Sequence, residues 1–114
     1  MTLDVNLFTF RVLTEKDSTY GYSVAHCLET GTVVTADDHE TVVEMMLEVL
    51  QDEILYALKH RDYSNLFSSP APADVWQKWK EAAKRNKPIQ MNLEVKADDT
   101  KEIAEVHLGE SKAA

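Results

Sequence analysis

The sequence predicts a single α+β domain. Three observations point that way: apolar alternation through the first 35 residues, one long amphipathic helical segment between Asp38 and His60, and a second clean alternation from Ile89 to Val95. The expected order is β-β-β-α-(α)-β, an antiparallel sheet packed against one long helix. With 114 residues, 44% of them apolar, the chain has enough material for one modest core and not for two. Residues 1–62 should form a β-β-β-α unit. Residues 63–114 should add a Pro/Ser loop, a short Trp-containing helix and a C-terminal strand or hairpin to the same domain.

The first strand is expected from Leu3 to Leu13. Leu3, Val5 and Leu7 alternate with Asp4 and Asn6, but Phe8, Phe10 and Val12 fall on the opposite face. Coverage on both faces, or a bulge, accounts for that change of phase. Thr14–Thr19 is polar and turn-forming. The second strand, Tyr20 to Leu28, has one face of Tyr20, Tyr22, Val24, His26 and Leu28. Its other face holds only the small residues Gly21, Ser23, Ala25 and Cys27, which lets a helix approach closely. After the turn at Gly31, the β-branched run Thr32-Val33-Val34-Thr35 makes a short third strand.

A helix start follows. Asp37 can cap it, with Glu40 three residues on in capping-box spacing. Val43, Leu47, Leu50, Ile54 and Leu58 share one face, widened by Val42, Met46 and Val49, while Glu44, Glu48, Gln51, Asp52, Glu53 and Lys59 lie largely on the other. Residues 62–74 carry Ser64, Asn65, Ser68, Ser69, Pro70 and Pro72 and read as a loop, anchored by Leu66 and Phe67. Asp74–Arg85 reads as a short helix with Trp76, Trp79 and Ala83 on one side, ended by Asn86 and Pro88. In the next strand Ile89, Met91, Leu93 and Val95 point inward. Lys96–Glu102 is turn-like, Ile103–Leu108 alternates as a strand does but also fits a frayed helix, and Gly109–Ala114 is expected as a loose tail.

Charge and motifs narrow the function by exclusion. The formal charge is −8. All of it lies in residues 1–69, where twelve acids meet only Arg11, Lys16, Lys59 and Arg61; residues 70–114 balance at eight acids and eight bases. Phosphate contacts need clustered Lys and Arg, so direct nucleic-acid binding is not expected. An acidic surface suits a basic protein partner. Three glycines leave no phosphate-binding loop, and no Cys-x-x-Cys or His-x-x-x-His pair offers a zinc site, so no cofactor or metal is expected. No run approaches the ~20 apolar residues of a membrane span. A single Cys27 and the lack of a basic-then-apolar leader fit a reducing, cytoplasmic setting. His26 and Cys27, as strand neighbours, point to opposite faces and cannot act as a pair. Cys27 is expected as a buried thiol, His26 as a hydrogen-bonded structural residue, His39 in solvent, and Asp37, Asp38 and Glu40 as capping groups.

At Tyr22-Ser23-Val24-Ala25-His26-Cys27-Leu28-Glu29, followed by a Gly turn, a β-branched strand, Thr35-Ala36-Asp37-Asp38-His39-Glu40-Thr41 and a long helix with acidic outer positions, the sequence resembles the HicB-like antitoxin superfamily of bacteria. The resemblance covers roughly residues 3–58. Asn65 to Trp76 is similar to the extension of its stand-alone members. It implies a β-β-β-α-β core and a non-enzymatic protein that acts through protein–protein contact, antitoxin-like towards a small basic RNA-cleaving toxin. A second implication is a stand-alone homo-oligomer, most simply a dimer, with no toxin. A residual hydrolase using His26 with Glu29 or Asp37 is a minor alternative. No basic DNA-binding segment follows the core, so operator binding is not implied. The interface candidates are Leu66, Phe67, Trp76, Trp79 and Met91, chosen because their apolar surface is large for so short a chain.

Overall fold

The structure, a computed structural model, describes residues 3–5, 8–97 and 100–111. It is an α+β fold with a curled mixed sheet and two α-helices. The strands are β1 (Leu3–Val5), β2 (Thr9–Lys16), β3 (Ser23–Cys27), β4 (Val33–Ala36), β5 (Ile89–Ala97) and β6 (Thr100–Glu110). The helices, α1 (His39–His60) and α2 (Ala73–Arg85), follow β4, with a short 3-10 turn at Asn65–Phe67 between them.

The sheet is mixed, not antiparallel throughout. β2–β3, β3–β4 and β5–β6 are antiparallel, but β6 runs parallel to β2, with Thr9 opposite Glu105 and Thr14 opposite Glu110. β6 holds β5 along one side. On its other side it meets β1 near its start and β2 further on, so six strands occupy five positions. Tight turns join the antiparallel neighbours. The route through α1 and α2 is long enough to bring the β5–β6 hairpin back beside β2 rather than beside β4. The change of phase near Phe8 falls where β1 gives way to β2; Asn6 and Leu7 lie outside the described residues.

One face of the sheet carries α1. Ala25 and Cys27 are fully buried there, as are Phe10, Val12 and Ala104, with Val106 nearly so. α1 presents Val42, Met46, Leu50 and Ile54, all fully buried, then Ala57 and Leu58. Val43 and Leu47 sit at the margin of that stripe rather than at its centre. Asp38, not Asp37, caps the helix: its carboxylate accepts from the Thr41 amide at 2.8 Å. This holds the Asp38 carboxyl below its usual value. The first turn is also tied to the sheet, since His39 Nε2 lies 3.1 Å from Thr14 Oγ1 and is therefore not a solvent group alone. At the far end, Phe67 packs on Phe8 and Phe10, and Leu66 packs on the same core.

The opposite face carries α2. Leu13 and Leu28 are fully buried on this side, beneath Val75, Trp79 and Ala82. The Ala71 amide donates to the Leu28 carbonyl at 2.9 Å, which fixes where α2 starts. The strand read from Leu3 to Leu13 is thus covered on both sides, by α1 over Phe10 and Val12 and by α2 over Leu13. Several segments differ from the sequence expectation. The first expected strand is split into β1 and β2, so four strands and not three precede α1. The strand read from Tyr20 to Leu28 spans only Ser23–Cys27, because the Asp17 carboxylate accepts from the Tyr20 amide at 2.7 Å and holds that residue in the turn. β2 runs on to Lys16. The Lys96–Glu102 turn shrinks, because β5 reaches Ala97 and β6 begins at Thr100. The expected tail begins later: Gly109 and Glu110 belong to β6, and residues 112–114 lie outside the described residues.

Leu50→Ala or Ile54→Ala removes a fully buried side chain from the α1–sheet contact and is expected to cost about 2–5 kcal/mol. Chemical denaturation measures it, and a loss under about 1 kcal/mol would contradict this packing. A Cβ at position 109 would lie 2.7 Å from Trp79 Cζ3. Gly109→Ala is therefore expected to lower stability by about 1–3 kcal/mol and to shift Trp79 fluorescence. An unchanged melting curve and spectrum would contradict the Trp79–Gly109 contact.

Candidate functional site

The polar side chains of the α2 face are organised in two groups. In the first, Glu15 on β2 accepts from His26 Nε2 at 2.9 Å and from Lys78 Nζ at 3.2 Å. Burial raises the Glu15 pKa, but the hydrogen bonds from His26 and Lys78 outweigh it and leave the carboxyl below its usual value. In the second, the Arg11 amide donates to Glu29 Oε1 at 2.6 Å and its guanidinium pairs with Glu29 Oε2. The same guanidinium lies 5.8 Å from the Trp76 ring centre. Trp76 in turn donates Nε1–H to the Ala71 carbonyl at 3.1 Å. Both groups tie α2 and its approach loop to the sheet. His26 thus meets Glu15, whereas Glu29 is held by Arg11. The Cys27 thiol faces α1, and burial pushes its pKa up to about 11, so it carries no thiolate at neutral pH.

On the α1 side a cavity of about 370 Å³ opens beside the C-terminal half of the helix, lined by Thr30, Glu53, Tyr56, Asp62, Asn65 and Leu66 among others. Glu53 Oε1 accepts from Thr32 Oγ1 at 2.8 Å, while Oε2 is buried without a hydrogen-bond partner. Burial raises the Glu53 pKa, and the Thr32 hydroxyl offsets only part of that.

The outer surface of α1 is the third feature. Glu40, Glu44, Glu48, Gln51 and Asp52 are all exposed. Gln51 Nε2 donates to the Glu94 carbonyl of β5 at 3.4 Å, so this flank of the helix runs beside β5. Helical spacing places Glu44 and Glu48 on the same flank as Gln51.

The structure divides the five interface candidates between two faces. Leu66, Phe67 and Met91 lie on the α1 face, with Leu66 and Met91 half-buried and Phe67 37% exposed. Trp79 is 8% exposed against Leu13 and Gly109 on the α2 face, and Trp76 is half-buried beside Arg11. Sequence reasoning singled out neither Ile89, 63% exposed at the start of β5, nor Tyr20, 80% exposed and stacked on Tyr22. Alternation marked Ile89 as inward, and only its place at the sheet edge exposes it.

Among the described residues, no group of His, Cys, Asp or Glu is arranged to hold a metal ion, and no helix is long and apolar enough to cross a membrane. Folded Glu53 holds its proton to a higher pH than in the unfolded chain. The folded state therefore binds more protons just above the ordinary value of 4.5, and stability falls as pH rises through that window. Glu53→Gln removes the loss. The variant is expected to be at least as stable as the parent at neutral pH, with its advantage disappearing below the ordinary carboxylate range. Thermal melts across pH measure this, and destabilisation at neutral pH with unchanged pH dependence would contradict it. No protein-family model matches the chain, and no curated protein or solved structure matches it.

Proposed function

We propose that this chain is a non-catalytic protein that acts through protein–protein contact, HicB-like and antitoxin-like, towards a small basic RNA-cleaving toxin. One observation carries the reading: the exposed acidic surface of α1, with Glu40, Glu44, Glu48 and Asp52 outward on a helix whose other side is locked into the core. A concentrated acidic face speeds encounter with a basic partner and selects against acidic ones. The likeness to HicB-like proteins rests on the sequence resemblance between Tyr22 and Thr41; the described residues place four strands, β1 to β4, before α1. The non-catalytic part is supported at the residues the hydrolase alternative would use: His26 is bonded to Glu15 and Glu29 is paired with Arg11.

A second reading, a stand-alone homo-oligomer, is favoured by exposed Phe67 and Ile89, which a subunit contact would cover. Purifying the tagged chain from its native host and identifying retained proteins by mass spectrometry tests the first reading. A small basic protein in stoichiometric amount is expected; recovery of the chain alone would contradict it. Light scattering tests the second reading. Twice the 12.9 kDa chain mass supports it, and the single chain mass refutes it.

A further inference from the structure

We infer that the outer edge of β5, together with the acidic flank of α1 beside it, is the docking groove for an extended basic segment of a partner protein. This deepens the contact reading and rests on it. β5 spans nine residues and, among the described residues, pairs with no strand but β6; the Glu94 carbonyl is taken by Gln51, and the rest of its outer side is a strand edge. The sheet's other edge, β4, is only four residues long. The Gln51–Glu94 hydrogen bond sets α1 against this edge, and Glu44 and Glu48 stand exposed along the same flank. Met91 and Leu93, half-buried, form the floor between helix and strand, with Leu47 at the wall.

An added strand would find its main-chain partners on β5. Its alternate side chains would project either towards α1 or towards the Gln90–Asn92 side. Lys or Arg at the positions facing α1 would lay their aliphatic stems over Met91 and Leu93 and reach Glu44 and Glu48 with their charged ends. A second copy of this chain fits less well, because two-fold pairing of β5 would bring two acidic flanks together on protomers of charge −8.

The probe is a fluorescein-labelled, end-capped eight-residue peptide of alternating Lys and Val. Its comparators are the Glu/Val peptide and two Lys/Val peptides N-methylated at every second amide, one in each register. Fluorescence anisotropy is expected to show salt-sensitive binding of the Lys/Val peptide and none of the Glu/Val peptide. Only one of the two methylated peptides should lose binding, since only one register of amides faces β5. Glu44→Lys/Glu48→Lys, both on exposed positions, should weaken the Lys/Val peptide by about tenfold or more. Equal binding of both methylated peptides, or no effect of the charge reversal, would overturn the proposal. So would a chain that sediments as a dimer the Lys/Val peptide cannot enter, which would assign the edge to a second copy. If a basic host protein is retained equally by the parent and by Glu44→Lys/Glu48→Lys, the contact reading stands and the edge proposal alone falls.

Discussion

The arrangement depends on β6 lying parallel to β2 in the middle of the sheet. Ala104 and Val106 enter the α1 core from this strand, and Gly109 receives Trp79 from the other side. With β6 in that position, β3 and β4 are pushed to one end and β5 to the other. The hairpin partner of β6 becomes an edge strand, and the edge next to the acidic helix flank follows from that single pairing.

Two layers share the stabilisation unequally. α1 covers most of one face with a stripe of fully buried residues, where apolar burial contributes roughly 25 cal/mol per Å². α2 is short and anchors through a few contacts: Trp79 over Gly109, Val75 and Ala82 over Leu13 and Leu28, and the Arg11–Glu29–Trp76 and Lys78–Glu15–His26 groups at its sides. Such partly exposed ion pairs contribute little singly. Their role is orientation, since they fix which face of α2 meets the sheet. Gly31 completes this end of the molecule. It takes a positive φ of 75°, and a Cβ there would lie 1.9 Å from the Ser69 carbonyl oxygen, so the β3–β4 turn can seat the Pro-rich loop only with glycine at this position.

What the sequence made legible was local. The span of α1 follows from its 3.6-residue repeat, and the small face of β3 announced the helix that packs on it. The pairing of β6 with β2 was not legible, because it joins residues almost a hundred positions apart, with no turn chemistry between them to fix direction. The same blindness governed the tryptophans. Spacing of three places Trp76 and Trp79 on one side of a helix, but not on a particular sheet face. The glycine that accommodates Trp79 sat in a segment that read as a tail. The acidic residues of α1 were readable as a solvent side; that β5 would run beside them was not, since the hydrogen bond from Gln51 to Glu94 is a product of the tertiary fold. The five interface candidates fall on both faces of the sheet, Leu66, Phe67 and Met91 on one and Trp76 and Trp79 on the other. Their division between two faces is a matter of layers, which alternation alone does not encode.

The central claim is that β6 is the sheet's interior strand and β5 its open edge. Amide hydrogen exchange resolved by residue tests it most directly. The amides of β2 and β6 around Val12 and Val106 are expected to exchange only through global unfolding, while the β5 amides facing away from β6 exchange orders of magnitude faster. Equal protection of both sets would mean that another strand already covers β5, and would contradict the account.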